Sequence, residues 1–145
     1  MIPLVFVDPG AKVNRVYYRE QILSDVVEPW AQRHFAGRDW IFQQDSAPAH
    51  KAIETQNWIR DHFPDFISKE EWPANSPDLN PIDFSIRGIL KAKACATSHK
   101  SLESLKAAIL KAWNEIPLGT QRATVDEVPK RLNAYIKAKE GYFEL

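Results

Sequence analysis

The sequence predicts an α/β domain in which helices cover a mixed sheet, and three observations carry that reading. Short apolar runs bounded by turn residues recur at 2–7, 13–18, 40–44 and 66–72. Stretches with apolar residues at helical spacing stand between and after them. At 145 residues with 44% hydrophobic side chains, the chain is the size of one ordinary domain with a sizeable core.

Each element has its own warrant. Ile2–Val7 ends at Asp8-Pro9-Gly10, a turn signal, and Val13–Tyr18 follows as a second β-prone run, so 2–18 reads as a β-hairpin. Leu23, Val26, Val27, Trp30 and His34 repeat at helical spacing until Gly37. Trp40–Gln44 is too short for a helix and reads as a strand running into Asp45. Ser46 can cap the next helix, with Pro48 in its first turn and an end near His62, before Pro64. A further strand from Phe66 to Trp72 closes at Pro73. Pro73, Pro77 and Pro81 then force an irregular approach to a helix capped by Asn80, with Pro81 at its first position and Asp83 at its third. Leu102, Leu105, Ile109, Trp113 and Ile116 mark another amphipathic helix. The last one runs from about Asp126 to Glu140 and stops at Gly141.

Composition narrows the function classes. The formal charge is zero but unevenly spread: residues 1–83 carry 8 basic against 13 acidic side chains, and residues 84–145 carry 11 against 6. A basic C-terminal half suits a polyanion, while the acidic half holds the candidate metal ligands; solvated faces are the plainer reading of both. The single cysteine, Cys95, excludes an internal disulfide, and Cys95 with His99 is too small a set for a zinc site. No segment approaches the apolar run of about 18 residues that a membrane span needs, and the opening MIPLVFVDPG lacks the basic leader of a signal peptide.

Two strings bear on chemistry. QQDSAPAH sets Asp45 at the end of an apolar run, and SPDLNPID sets Asp83 at a helix start, with 37 residues between the two aspartates. Paired carboxylates on rigid elements suit two-metal phosphodiester chemistry, which holds hard cations about 3.5–4 Å apart. Taken singly, Asp83 also fits a helix cap and Asp45 an ordinary turn aspartate.

The wording around both aspartates resembles the mariner-type transposases of the DDE/DDD superfamily. The similarity runs from LVFVDPGAKVN through RLNAYIKAKEGYFEL. That resemblance implies an RNase H-like mixed sheet flanked by helices, with Asp45 and Asp83 as the second and third catalytic, metal-binding carboxylates. It implies Mg²⁺ or Mn²⁺ as cofactor, DNA as partner, a nuclear location, and DNA strand cleavage and strand transfer as the reaction. His50 matches a recurrent family position near the site or a DNA phosphate, and a packed histidine is its plainer reading. Asp78 helps order the proline-rich turn.

Two positions depart from the family pattern. Ser46 stands where asparagine is usual, and Arg87 stands where tryptophan is usual. Arg87 is four residues beyond Asp83 on one helix, so an ion pair that competes with a metal is expected, with a DNA-phosphate contact as the alternative. Lys91 and Lys93 join His50 and Arg87 as candidate DNA contacts, in a basic half that also holds Lys100, Lys106 and Lys111.

The family's first carboxylate lies on a strand upstream of the hairpin, and its helix-turn-helix region lies further upstream still. Residues 1–145 are therefore expected to be one partial catalytic domain lacking its first, central strand and that region. Asp8, followed by Pro-Gly, belongs to a turn and is a poor substitute ligand. The hairpin would pair directly onto Trp40–Gln44, or another chain, a second copy or an intact transposase subunit, would fill the gap. The expected function is a catalytic-domain fragment, inactive alone. The rival readings are a catalytically silent module that binds DNA or a transposase partner, and a decayed reading frame with no function.

Overall fold

The computed structural model describes residues 1–138, which divide into two compact units, Met1–Asn75 and a second that begins at Ser76. Among the described residues every regular element is helical, and the expected mixed sheet is absent. The RNase H-like α/β expectation is corrected accordingly.

In the first unit, the expected hairpin does not form. Its turn is present, with the Ala11 N–H donating to the Asp8 carbonyl at 3.0 Å and Gly10 at φ +82°. The turn leads from an extended run into a helix, because Asn14 is an effective N-cap. Its side-chain oxygen accepts from the N–H groups of Val16 (2.9 Å) and Tyr17 (3.0 Å). Those bonds override the β-propensity of Val13–Tyr18 and start a continuous helix, α1, built of Arg15–Tyr17, Tyr18–Val27 and Glu28–Phe35. Its middle segment is π-wound, with the Glu28 N–H reaching the Leu23 carbonyl five residues back. Pro29 follows at once. A proline in a helix interior lacks an N–H and crowds the carbonyl four residues earlier, here that of Asp25, and the wide winding accommodates the ring.

Helix α1 ends where Ala36 turns left-handed, at φ 48° and ψ 49°. Arg38 closes the end by donating from Nε to the Phe35 carbonyl (3.0 Å) and from Nη2 to the His34 carbonyl (2.8 Å). A side chain with a Cβ is strained in that conformation, and Ala36 is exposed. Ala36→Gly is therefore expected to stabilise the protein by about 1 kcal/mol, raising the thermal midpoint by about 3 °C. A lowered midpoint would mean that the methyl group makes a contact worth more than the strain.

Beyond the helix, Trp40–Gln44 is extended but pairs at one point only, a parallel bridge between Phe42 and Phe66. The Phe42 N–H donates to the Asp65 carbonyl (3.0 Å), and the Ile67 N–H donates to the Phe42 carbonyl (2.9 Å). The expected strand from Phe66 to Trp72 stops there because Ser68 starts a turn. Glu71 accepts from the Ser68 N–H and hydroxyl, both at 2.8 Å, and the N–H groups of Glu71 and Trp72 return to the Ser68 carbonyl. The helix expected from Ser46 to His62 is two helices, α2 (Pro48–Lys51) and α3 (Ile53–His62), separated by Ala52 at ψ 134°. Ser46 does not cap α2: the N-cap position is Ala47, which has no side-chain cap, and Asp45 Oδ1 accepts the Ala47 N–H at 2.9 Å in the turn just before the helix.

The core of this unit gathers Tyr18, Leu23 and Val27 of α1, Ala49 of α2, Ile59 of α3 and Phe63. Trp40, Phe42, Trp58 and Phe66 pack against it, with Trp40 and Phe42 ring centroids each 5.0 Å from that of Phe63. Apolar burial on one face of α1 and α3 is the main favourable term holding them together.

In the second unit every regular element among the described residues is helical. A single 3₁₀ turn, Pro77–Leu79, leads into α4, made of a wide turn at Ile82–Ile86 and a regular stretch at Arg87–Ala94. Asn80 caps it, accepting the Ile82 N–H at its side chain (3.2 Å) and those of Asp83 (2.9 Å) and Phe84 (3.0 Å) at its carbonyl. Helix α5 spans Leu102–Asn114 and opens on a reciprocal cap between Ser101 and Ser104. It packs on α4, and Ile86 and Ala94 of α4 and Ala112 and Trp113 of α5 are buried. Helix α6 (Leu118–Asp126) lies in a stretch to which the sequence assigned no element, and α7 (Val128–Lys137) begins two residues later than expected. The expected end near Glu140 and stop at Gly141 lie outside the described residues.

Candidate metal-ligand and polyanion site

Asp45 sits at the mouth of a shallow cleft lined by Gln44, Ser46, Gln56, Ile67, Ser68, Lys69 and Trp72. Its side chain is 48% exposed, and both of its close contacts fall on Oδ1: the Ala47 N–H, and His50 Nδ1 at 2.6 Å. Extended backbone before Asp45 and the α2 start after it fix the carboxylate's place.

A polar network below Asp45 had no counterpart in the sequence reading. The buried Tyr18 hydroxyl donates to Gln44 Oε1 at 2.8 Å, and its ring lies 4.1 Å from that of His50. The His50 carbonyl accepts from Gln44 Nε2 (3.3 Å) and Gln56 Nε2 (2.9 Å), while Gln56 Oε1 accepts the Lys69 N–H (3.0 Å). Burial, and secondarily the Asp45 charge, push the Tyr18 hydroxyl well above the usual tyrosine range. Tyr18 thus stays neutral and donates, which keeps Gln44 and His50 in register beside Asp45. Gln44 lies within the QQD string, but Tyr18 was legible only as part of a strand.

In the second unit, Asp83 lies in the first turn of α4 with its side chain 15% exposed. Its Oδ1 is buried and 2.8 Å from Arg87 Nη2, close enough for an ion pair but without an aligned hydrogen bond. The i, i+4 contact expected from sequence is therefore present. Arg87 is 73% exposed, and exposed Lys91 follows it by one helical turn. Lys93 is 3.8 Å from Glu115, a loose surface pair. Asp78 orders its turn through its backbone, since its carbonyl accepts from Arg131 Nη1 at 3.1 Å. The Arg131 guanidinium also lies 4.0 Å over the Phe84 ring. Ser85 and Thr124 bond through their hydroxyls at 2.9 Å, tying α6 as well as α7 to the helix that carries Asp83.

Elsewhere His99 caps the end of α4 through the Ala94 carbonyl, and Cys95 is a free, exposed thiol. Among the described residues no group of three or more histidine, cysteine or carboxylate side chains is clustered to hold a metal. None of their helices is long and apolar enough to cross a membrane. Asp45 in the first unit and Asp83 in the second are each hard oxygen donors, the ligand type that suits Mg²⁺ or Mn²⁺ rather than a soft metal.

No family model matches the chain. Individual proteins do. The Tcb1 transposase of Caenorhabditis briggsae is 35% identical over 129 residues, 87% of this chain and 44% of that protein. The Tc1 transposase of Caenorhabditis elegans is 30% identical over 136 residues, 90% of this chain and 45% of that one. The chain thus spans less than half the length of these relatives. Among solved structures, the Mos1 transposase catalytic domain with raltegravir and Mn matches with a TM-score of 0.82 at 22% identity, covering 95% of this chain and 69% of that one. The Mos1 paired-end complex with left transposon end matches with the same TM-score, covering 95% of this chain and 40% of that one. The Mos1 likeness is one of backbone fold; that domain is RNase H-like, whereas the described residues here form no sheet. The homologues of this chain are thus Tc1/mariner-family transposases, and its similarities are consistent with a C-terminal fragment of their catalytic domain.

Proposed function

We propose that this chain is part of a single DDE/DDD catalytic domain and carries two of its metal-binding carboxylates, Asp45 and Asp83, for DNA strand cleavage and strand transfer in the nucleus. The observation that carries the proposal is the extent of the homology. A match over 87% of the chain leaves out too few residues to miss either aspartate motif. The Mos1 catalytic domain has been solved with Mn and with Mg, and Mos1 complexes with transposon DNA, which supports the same metals and the same partner here.

When bound, a divalent ion supplies charge stabilisation and an activated water at the phosphodiester. The chain's own residues do the rest. Asp45 is held at the cleft mouth by the Ala47 N–H and His50. Arg87, Lys91, Lys93 and the partly buried His50 are the candidate phosphate contacts. The binding they support is independent of DNA sequence and weakens steeply with salt.

With two carboxylates of three, the isolated chain is expected to bind Mn²⁺ weakly and not to cleave DNA. Asp45→Ala and Asp83→Ala should each lower Mn²⁺ affinity in calorimetry by about tenfold or more. Unchanged affinity in both would remove the metal-ligand assignment. Labelled duplex incubated with the chain and Mn²⁺ should stay intact, and cleavage that Asp45→Ala abolishes would overturn the proposed inactivity. The ion pair of Arg87 on Asp83 favours a second reading, a catalytically silent module that binds DNA or a partner transposase subunit. DNA binding with no Mn²⁺ binding at all would decide for it.

A further inference from the structure

Arg87 spans two environments. Its guanidinium reaches a nearly buried carboxylate oxygen at 2.8 Å, yet 73% of its side chain is open to solvent, and exposed Lys91 extends the same stripe. The contact lacks hydrogen-bond alignment, so the carboxylate is held by charge more than by geometry. A guanidinium has five donors and binds a phosphate in its plane at least as well as a carboxylate. One arginine cannot serve both fully, and Asp83 Oδ1 cannot give the same lone pairs to a cation while Arg87 lies on it.

We propose that Arg87 is a built-in counter-ion that holds Asp83 in its metal-free state, and that a nucleic-acid phosphate draws it off, so that polyanion and divalent-metal binding strengthen each other. The inference rests on Asp83 being a metal ligand and adds the regulation of that ligand. Exchange of partners supplies the coupling: in the free chain a metal must displace Arg87, whereas on DNA the phosphate has already taken it. Linkage makes the effect reciprocal, so Mn²⁺ must tighten DNA binding by the factor by which DNA tightens Mn²⁺ binding. Lys91, one turn beyond, adds attraction for phosphate without touching Asp83.

The test is Mn²⁺ calorimetry on the full chain, alone and with saturating duplex DNA, after subtracting Mn²⁺ binding to the duplex itself. Wild type, Arg87→Gln and Asp83→Asn are compared at one ionic strength. Arg87 is largely exposed, so Arg87→Gln should fold, and circular dichroism checks it. Wild type is expected to bind Mn²⁺ about fivefold or more tightly on DNA. Arg87→Gln should bind Mn²⁺ more tightly than wild type without DNA and gain little from adding it. Equal Mn²⁺ affinity in the two free proteins, or an undiminished DNA effect in Arg87→Gln, would overturn the proposal. Asp83→Asn separates the two levels: if it leaves Mn²⁺ binding intact, the ligand assignment fails and the coupling with it. Where Asp83→Asn loses binding but Arg87→Gln matches wild type, only the coupling fails. Absence of Mn²⁺ binding in wild type and Arg87→Gln, with or without DNA, would end both.

Discussion

Ile59→Ala should destabilise the first unit by about 3–4 kcal/mol, a large share of the total stability of a domain this size. Ile59 is 0% exposed and sits in the cluster formed with Tyr18, Leu23, Val27, Ala49 and Phe63. Deleting its branched end removes buried apolar atoms and leaves a hole. Flat, interlocked rings border that region: Phe63 is 5.0 Å from Trp40 and Phe42 and 5.5 Å from Trp58. Rings in edge contact with one another shift together or not at all, so little collapse into the hole is available. Ile59→Val should cost only about 1 kcal/mol. Urea unfolding followed by tryptophan fluorescence measures both. A loss below about 1 kcal/mol for the alanine variant would show that α3 repacks freely, contrary to the packed core described here.

Elements that were legible in the sequence are those whose signals are local and act together. Asn80 caps α4 with Asp83 in its first turn, and apolar spacing from Leu102 to Trp113 marks α5. The approach of Arg87 to Asp83 followed from spacing on one helix, whose geometry leaves little choice. Where two local signals compete, the reading failed. Val13–Tyr18 has strand-forming side chains, but one residue within it, Asn14, has a side chain that pays two helical N–H groups, and the cap won. Ala52 carries no breaker chemistry, yet it divides α2 from α3. Helix α6 has Gly119 near its start and few apolar positions, so no periodicity announces it. The sheet was inferred from runs that need partners far along the chain, and only Phe42 and Phe66 found each other. At the candidate site, the two aspartate motifs were visible as strings. The Tyr18–Gln44 bond was not, because it joins residues 26 apart through burial.

Leu79→Ala should cost the second unit about 3 kcal/mol, while Asp78→Ala beside it stays within about 0.5 kcal/mol. The motif SPDLNPID looks like a set of polar and acidic groups, but the structure gives two adjacent residues in it, Asp78 and Leu79, opposite parts. Leu79 is 0% exposed, closing the 3₁₀ turn with its N–H on the Ser76 carbonyl at 3.1 Å. Asp78 is exposed, and the contact it makes to Arg131 uses its backbone carbonyl, which any residue supplies. Truncating Leu79 therefore removes the apolar anchor of the turn, whereas truncating Asp78 removes only a solvated carboxylate. The consequence reaches Asp83, because the N–H groups of Asp83 and Phe84 both return to Asn80, the residue after the anchor. Native-state hydrogen exchange should show those two amides opening about 100-fold more often in Leu79→Ala, the counterpart of about 3 kcal/mol, and at the unaltered rate in Asp78→Ala. If both variants left the two amides equally protected, Asp83 would be held by Arg131 on Phe84 and by the Ser85–Thr124 bond instead, with α6 and α7 as its true support.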